Sequence, residues 1–138
     1  MDNRAVKLTR RSEYALLALI HLARAKDEGY VAVSAIAEAQ GLPAKFLEQL
    51  LMALKRAGLV KSQKGPHGGY RLGRPASKIT LAEVVRLLDG ALAPTDSVST
   101  YFYESTPVER EKRLLRVFKE IRDFVSTKLE KTTLADVI

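Results

Sequence analysis

Cysteine is absent from all 138 residues of the chain. Its absence excludes disulfides, thiolate nucleophiles and metal sites built on thiolate ligands, including ordinary iron–sulfur clusters. Long hydrophobic runs are missing as well, because no segment approaches the roughly 18 consecutive apolar residues that a membrane helix needs. Residues 1–8 also lack the apolar centre of a secretory signal. The sequence therefore predicts a cytoplasmic protein that has no membrane partner.

The patterns that mark catalytic and metal sites are missing too. No nucleophile accompanied by a base, no paired acids in a glycine-rich cleft and no phosphate-binding loop can be found. The two histidines, His21 and His67, are far apart in the sequence and with aspartates alone would make a poor metal site. We therefore expect neither an enzyme nor a protein that carries a metal or another cofactor.

Positive charge is concentrated in the N-terminal part of the chain. Residues 1–80 contain 14 Lys and Arg against 6 Asp and Glu, whereas residues 81–138 contain 9 against 10. The length suits one compact domain with an appended element, because domains commonly contain about 100–200 residues. This distribution predicts a module that binds a polyanion, joined to a near-neutral element. Solubility alone is the alternative explanation for the basic surface.

Two helices are predicted in the first third of the chain. Apolar residues at helical spacing favour a first helix over residues 10–25. A solvated turn then leads to residues 30–33, whose alternation permits one brief strand. Ser34 is a candidate N-cap for a short second helix over residues 35–40.

A third helix is predicted between Pro43 and Gly58. Proline suits the first turn of a helix, and glycine suits the left-handed position at its end. Four leucines at helical spacing form one face of this helix: Leu47, Leu50, Leu51 and Leu54. Gly41 separates the second helix from the third. Two helices across a tight glycine turn have the spacing of a helix-turn-helix, whose second helix can lie in the major groove of DNA.

A β-hairpin and a fourth helix follow. Residues 59–63 and 70–72 alternate as strands do, and the glycine-rich segment between them can only turn. This pattern predicts a hairpin of the kind called a wing. Thr80 and Glu83 have the spacing of a capping box at the start of the next helix, which Gly90 ends.

The chain is expected to divide into three parts. Residues 1–90 form the DNA-binding module, residues 91–107 form a loop, and residues 108–138 form a long helix with a C-terminal segment. The loop contains three aromatic side chains, Tyr101, Phe102 and Tyr103. They are candidates to line an effector pocket or a partner-protein surface, with the sealing of a dimer interface as the alternative.

The long helix, expected over residues 108–131, has an apolar stripe. Its members are Leu114, Val117 or Phe118, Ile121, Val125 and Leu129. A helix of about 24 residues would be about 36 Å long, which exceeds what one small winged domain can cover. A second copy of the chain, related by a two-fold axis, is the simplest cover. We therefore expect Leu114, Phe118, Ile121, Val125 and Leu129 to form a dimer interface.

Seven segments, in this order, resemble the Rrf2 (Rrf-two) family of winged-helix repressors, the IscR, NsrR and CymR group. The segments are 12–16 (SEYAL), 35–38 (AIAE), 46–50 (FLEQL), 57–62 (AGLVKS), 68–72 (GGYRL), 79–84 (ITLAEV) and 133–137 (TLADV). Any one of them is a weak signal, whereas the ordered set is specific and extends over nearly the whole chain. The resemblance implies a mainly α-helical fold with a small β-hairpin wing, in which a winged helix-turn-helix domain precedes a long C-terminal dimerisation helix.

One departure from the family pattern is informative. Members that bind an iron–sulfur cluster place three cysteines between the helix that ends here near Gly90 and the long dimerisation helix. This chain has none. It therefore resembles the cysteine-free branch of the family, typified by repressors of cysteine metabolism, some of which respond through a partner enzyme.

Three polar side chains lie on the predicted third helix opposite its leucine face. Lys45, Glu48 and Gln49 can reach base edges, since Lys and Gln pair with guanine or adenine and a carboxylate accepts from the cytosine amino group. The resemblance places them, together with Phe46, in the helix that reads DNA. A merely solvated helix face is the alternative. Glu48 has the further alternative of orienting Lys45 only.

The predicted wing tip contains Lys64, His67, Gly68 and Gly69. Small residues there allow close approach to a minor groove or to phosphates. The resemblance implies that a basic side chain enters the groove at Lys64, and a phosphate contact explains His67 better than a metal ligand does. The glycines alternatively serve the turn alone. Tyr70 is expected to pack beneath the wing.

Thr9, Arg10, Arg11 and Tyr14 begin the first helix. The N–H groups and the positive dipole end of a helix N-terminus suit a phosphate. Contacts of this kind position a protein on DNA without reading its sequence. Ordinary surface charge is the alternative explanation for the two arginines.

The resemblance implies a homodimer that inserts its third helices into successive major grooves of a near-palindromic operator, with the wings at the flanking minor groove. It also implies repression, by occupation of promoter DNA. The expected partners are double-stranded DNA and a second copy of the chain, with a small-molecule effector or a regulatory enzyme as a further candidate. The alternative is an interaction module controlled by a partner enzyme, which binds DNA only in the complex.

Overall fold

The computed structural model describes residues 8–138, and it confirms a mainly α-helical fold with a small β-hairpin. Within that range, five α-helices and two strands follow one another. They are α1 (Arg10–Arg24), α2 (Val33–Gln40), α3 (Ala44–Arg56), β1 (Val60–Gln63), β2 (Gly69–Leu72), α4 (Leu81–Asp89) and α5 (Lys112–Lys131). This order is that of a winged helix-turn-helix domain followed by a long helix.

Helix α1 is the centre of the core. Its inward face combines short and branched side chains, and Ala15, Ala18 and Leu19 are fully buried there. Short side chains at a helix contact allow a small interaxial distance. Helices α2, α3 and α4 and strand β2 all pack on α1. The helix predicted over residues 10–25 is confirmed to within one residue.

The start of α2 differs from the prediction. The strand expected at residues 30–33 is reduced to one bridge, in which Val31 N–H donates to Tyr70 O at 2.7 Å and Tyr70 N–H donates to Val31 O at 2.8 Å. Ala32 leaves this bridge in an extended conformation and is the N-cap of α2, two residues before the predicted N-cap. Ser34 is therefore exposed inside the first turn, and its prediction as N-cap is wrong. The pairing with the wing, a long-range contact, determines where the helix begins.

Helices α2 and α3 meet across the predicted glycine turn. Gly41 has φ 67° and ψ 38°, the left-handed conformation that glycine adopts without steric cost. Leu42 N–H donates to Ala37 O at 2.8 Å and closes the end of α2. Pro43 stands one position before α3, as its N-cap rather than inside its first turn. Gly58 follows the end of α3, as predicted.

The leucine face of α3 is buried against the core. Its four predicted members have 0–1 % of their surface exposed: Leu47, Leu50, Leu51 and Leu54. Burying a leucine side chain contributes about 1.5–3 kcal/mol. This face therefore fixes the rotation of α3 about its own axis.

The wing is an antiparallel hairpin in which Val60 stands opposite Leu72. Gly69 approaches the start of α2 so closely that a Cβ atom there would lie 2.1 Å from Val31 O. Any other residue at this position would disrupt the bridge that joins the wing to α2. Tyr70 packs against the core, as expected.

Helix α4 has the first half of the predicted capping box. The Thr80 hydroxyl accepts a hydrogen bond from Glu83 N–H at 3.1 Å. The Glu83 carboxylate pairs with Arg74 at 2.5 Å instead of returning to the Thr80 backbone. Gly90 ends the helix, as predicted.

Helix α5 is shorter than predicted. Pro107–Arg110 forms a separate 3₁₀ turn, and Glu111 then takes a non-helical conformation with φ −108° and ψ 89°. The helix begins at Lys112 and contains 20 residues, which is about 30 Å instead of 36 Å. In the described part of the chain, no helix is both long and apolar enough to cross a membrane.

The segment after α5 completes the core of the winged domain. Leu134 is fully buried in the main cluster, and its N–H donates to Ile79 O at 3.0 Å. Leu81 N–H donates to Thr132 O at 2.9 Å. The end of α5 is thereby fixed to the start of α4.

Candidate nucleic-acid interface

The outer face of α3 is polar and exposed. Lys45, Glu48 and Gln49 lie on it, opposite the buried leucines, as the sequence predicted. Met52, which is 53 % exposed, extends this face by one turn and was missed. The sequence did carry a signal for it, because a residue three positions after Gln49 lies on the same face of a helix. Because the leucine face is locked in the core, these four side chains project from the protein.

Phe46 joins α3 to α1 rather than projecting with its neighbours. Its ring meets the Tyr14 ring edge to face, with centroids 5.6 Å apart and planes at 86°. Both side chains are half-buried. Edge-to-face aromatic pairs stabilise by about 0.5–1.5 kcal/mol beyond the burial of their area. The contact places the first turns of α1 beside the first turn of α3.

The N-terminus of α1 already holds an anion from within the chain. Thr9 N–H donates to Asp89 Oδ2 at 3.0 Å, and the Thr9 hydroxyl donates to Asp89 Oδ1. Asp89, the last residue of α4, is only 7 % exposed. Thr9, predicted as a phosphate contact, has therefore committed both its donors to this carboxylate. Arg10 and Arg11 are exposed and remain candidates for phosphate contacts.

The wing tip presents Lys64 and His67 to solvent, whereas the glycines beside them are partly covered. Gly68 N–H donates to Gly65 O at 3.0 Å and closes the turn. A Cβ atom on Gly68 would lie 2.1 Å from Gln63 O. The hairpin itself therefore requires glycine here, whatever the tip contacts. Any approach to DNA at Gly68 and Gly69 stays a prediction.

Helix α5 has two apolar faces, and its own chain covers only one of them. Phe118, Val125 and Leu129 are half-buried, and Leu129 packs on the small cluster beneath α4. The other face is exposed and is called here the α5 stripe: Leu114 (44 %), Val117 (47 %), Ile121 (38 %) and Phe124 (76 %). Two of the predicted interface residues, Leu114 and Ile121, belong to it. Phe124 was missed, although its three-residue spacing from Ile121 was a signal.

Tyr101 stacks on Arg86 of α4, which is itself paired with a glutamate of α5. The Arg86 guanidinium lies 4.8 Å from the centre of the Tyr101 ring and pairs with Glu130 at 2.6 Å. The aromatic segment nevertheless stays accessible, with exposed fractions of 68 % at Tyr101, 46 % at Phe102 and 59 % at Tyr103. It is thus positioned by the fold and available for contact.

Tyr103 and Glu109 perturb each other's ionisation. The Tyr103 hydroxyl donates to Glu109 Oε1 at 2.6 Å, and Ser105 donates to Glu109 Oε2 at 2.9 Å. The hydrogen bond from Tyr103, and then that from Ser105, holds the pKa of the Glu109 carboxyl below its ordinary value. The same bond to Glu109 raises the pKa of the Tyr103 hydroxyl.

Comparison with known proteins agrees with this architecture. The Rrf2 family model, described as an iron-dependent transcriptional regulator, matches residues 8–138. The HTH-type transcriptional regulator CymR of Bacillus subtilis (strain 168) is 35% identical over 132 residues, which are 96% of this chain and 89% of that protein. The matched family and this relative are regulators of transcription rather than enzymes.

Solved structures of transcriptional regulators share this fold. The structure of CymR (YrzC), named as the global cysteine regulator of B. subtilis, aligns with a TM-score of 0.77 over 96% of this chain and 95% of that chain, at 35% identity. The IscR structure from T. potens aligns with a TM-score of 0.75 over 96% of this chain and 85% of that chain, at 31% identity. The likeness thus includes the hairpin and α5 as well as the helix-turn-helix.

The iron in the family description does not fit the residues of this chain. The whole sequence lacks cysteine. Between residues 8 and 138, no group of three or more His, Asp or Glu side chains is placed to hold a metal ion. His21 is half-buried in α1, and His67 is exposed at the wing tip. With its fold, its helix-turn-helix and its relatives in agreement, the chain belongs to the Rrf2 family and is a DNA-binding transcriptional regulator.

Proposed function

We propose that the protein acts in the cytoplasm as a homodimeric repressor that occupies a near-palindromic operator. The observation that carries the proposal is the division of α3 into a buried leucine face and a polar face that projects from the protein. A recognition helix needs this division, because only a helix anchored on one side can hold its other side against base edges.

Helix α3 lies in the major groove in this proposal. Lys45 pairs with guanine and Gln49 with adenine, since these are the acceptor and donor patterns that the two side chains match. Glu48 accepts from a cytosine amino group or orients Lys45. Met52 contacts the methyl group of a thymine. Each good pairing discriminates against the wrong base by about 1–3 kcal/mol.

The wing and the start of α1 contact the flanking DNA. Lys64 enters the minor groove and His67 contacts a phosphate, because both are exposed at the tip of the hairpin. Arg10 and Arg11 contact phosphates beside the major groove, where the Tyr14–Phe46 contact places the first turns of α1 next to α3. These contacts fix the orientation of the protein without reading bases.

The α5 stripe forms the dimer interface. Leu114, Val117, Ile121 and Phe124 are all exposed within one chain, and a two-fold axis lets the same stripe cover itself. In dimeric helix-turn-helix proteins the two recognition helices contact half-sites separated by about 34 Å or a multiple of it. The operator is accordingly a near-palindrome.

Hydrogen exchange with and without DNA tests this arrangement. The DNA is a duplex that the protein has retained from fragmented genomic DNA. We expect protection of the first two turns of α3 and of residues 64–69, with none at Tyr101–Tyr103. Protection of Tyr101–Tyr103 in place of α3 would overturn the proposal.

A matched pair of lysine variants sharpens the test. Lys45 and Lys112 are both exposed and both lie in the first turn of a helix. We expect Lys45→Ala to weaken binding of the retained duplex roughly tenfold and Lys112→Ala to leave it nearly unchanged. Equal losses of affinity in the two variants would indicate a general charge effect and would contradict the role of α3 as the recognition helix.

A second candidate function is contact with an effector or a regulatory enzyme through the aromatic segment. The exposure of Tyr101, Phe102 and Tyr103 favours it. In that case Tyr101→Ala with Tyr103→Ala leaves the affinity of the purified protein for the retained duplex unchanged but alters repression of a reporter in cells. An equal loss in both assays would show that the segment serves only the fold or the dimer.

A further inference from the structure

A cleft of about 480 Å³ opens at the base of the wing. Its walls come from the end of α1, both wing strands, the segment 73–77 and the C-terminal segment. Small-molecule pockets commonly have volumes of roughly 300–1,000 Å³. Apolar atoms of Ala23, Leu72 and Ala76 line its covered part. The cleft is therefore large enough for a small ligand and has an apolar surface for part of it.

The rim of the cleft carries cations that the described residues do not neutralise. Lys61 and Arg71 stand directly opposite each other across the two strands, and both are exposed. Like charges in this position destabilise an antiparallel pair. Lys26 adds a third cation. Within residues 8–138, no salt bridge involves any of the three.

The remaining lining residues do not balance this charge. Arg74 also lines the cleft, but it is paired with Glu83. No side chain of the described lining residues is acidic. The cleft is thus a local excess of positive charge beside an apolar surface, which is the complement of an organic anion.

Arg71 is partly positioned before any ligand arrives. Its guanidinium carbon lies 5.5 Å from the centre of the Tyr30 ring, and this stacking restricts the side chain. A guanidinium that is already restricted loses less conformational entropy when it binds an anion.

We propose that this cleft binds a small organic anion in which a phosphate or carboxylate group is joined to a compact apolar body. Lys61 and Arg71 make charge-assisted hydrogen bonds to the anionic group. Ala23, Leu72 and Ala76 cover the apolar part. Such a ligand would join α1, the wing and the C-terminal segment.

The geometry favours a small molecule over the phosphates of DNA. No residue of α3 lines the cleft. Lys64, at the wing tip, is three residues beyond Lys61, which is about 10 Å along a strand. Any effect of the ligand on DNA binding through the position of the wing rests on the proposed function. The binding of the ligand to the cleft does not rest on it.

The experiment is an NMR titration of the DNA-free protein with phenyl phosphate as the probe and phenol as its neutral counterpart. We expect saturable shifts of the backbone amides of Lys61, Arg71 and Gly73 with phenyl phosphate only. Lys61→Gln with Arg71→Gln should weaken this binding about tenfold or more. Saturation by phenol, or no saturable shift with phenyl phosphate, would overturn the proposal.

A matched variant removes the same two charges elsewhere. Lys112→Gln with Arg116→Gln changes an exposed pair on α5, away from the cleft, and should leave phenyl phosphate binding unchanged. Equal weakening in both variants would contradict a specific site. The amide spectrum of each variant shows directly whether it is folded. If the double cleft variant is unfolded, the single variant Lys61→Gln replaces it.

A second arm separates a small anion from DNA phosphate. The cleft variant and the α5 variant should bind the retained duplex with equal affinity and equal dependence on salt. A selective loss in the cleft variant, with a shallower salt slope, would assign Lys61 and Arg71 to the DNA backbone and overturn the proposal. Because the titration contains no DNA, its outcome is independent of the proposed operator binding.

Discussion

The Asp89 carboxylate accepts hydrogen bonds from both the backbone N–H and the hydroxyl of Thr9, at the opposite end of the winged domain in sequence. Thr9 is the N-cap of α1, so the carboxylate also lies at the positive end of that helix dipole. The end of α4 thus fixes the start of α1. Arg10 and Arg11, the candidate phosphate contacts, follow immediately.

Asp89→Ala should lower the free energy of unfolding by about 1–3 kcal/mol, because it removes two hydrogen bonds to a buried charge and a favourable charge–dipole contact. Urea denaturation at fixed protein concentration measures the change. Asp27→Ala, at an exposed position, is the matched control and should change the free energy of unfolding little. A loss no greater than that of the control would refute the structural role of Asp89.

Gln49→Ala should relax base preference at one operator position in each half-site, because Gln49 projects from the outer face of α3. Selection from a randomised duplex library, compared with the unaltered protein, measures the preference. Glu120→Ala on α5 serves as a control whose consensus should not change. An unchanged consensus for Gln49→Ala would contradict a base contact by Gln49.

Leu114→Glu with Ile121→Glu should yield monomers, because two charges would be buried within the α5 stripe at the proposed dimer interface. Light scattering of the purified protein gives the mass. Lys112→Glu with Arg116→Glu places the same charges on exposed positions outside the stripe and should leave the dimer intact. A dimeric mass for the stripe variant would rule out this interface.

Tyr103→Phe should raise the pKa of Glu109 toward its ordinary value, since the Tyr103 hydrogen bond is the largest cause of its depression. A carboxyl whose pKa is lowered by folding adds stability above its unfolded pKa. That contribution is lost as the pH falls through the lower, folded value. Carboxyl ¹³C NMR follows the titration. Ser105→Ala should have the smaller effect, and a reversed order would contradict the hydrogen-bond assignment.

The helix-turn-helix could be predicted because local signals agree there. The leucine spacing of α3 identifies its buried face, and the polar residues on the other side, Lys45 among them, follow from it. Gly41 and Gly58 mark both ends of the helix by their backbone conformation. Each of these signals lies within a few residues of the structure that it specifies.

Features that depend on distant contacts could not be predicted. Ser34 has the side chain of an N-cap, but the bridge between Val31 and Tyr70 moves the helix start past it. The commitment of Thr9 to Asp89 joins opposite ends of the winged domain. Nothing near either residue in the sequence indicates such a pairing.

The two faces of α5 illustrate a different limit. Apolar residues occupy about half of the helix circumference, so periodicity alone does not tell which part of that surface the same chain covers. Phe118 and Val125 are partly covered by the same chain, while Phe124 is 76 % exposed. Only the packing of α5 against α4 separates these two sets.

The most direct test of a sequence-specific dimeric regulator is selection of genomic fragments by the purified protein, followed by sequencing after washes at moderate and at high salt. Fragments that share a near-palindrome should remain bound after the high-salt wash, because base contacts add to the salt-sensitive phosphate contacts. Recovery of unrelated fragments only, all of them released at high salt, would contradict sequence-specific binding.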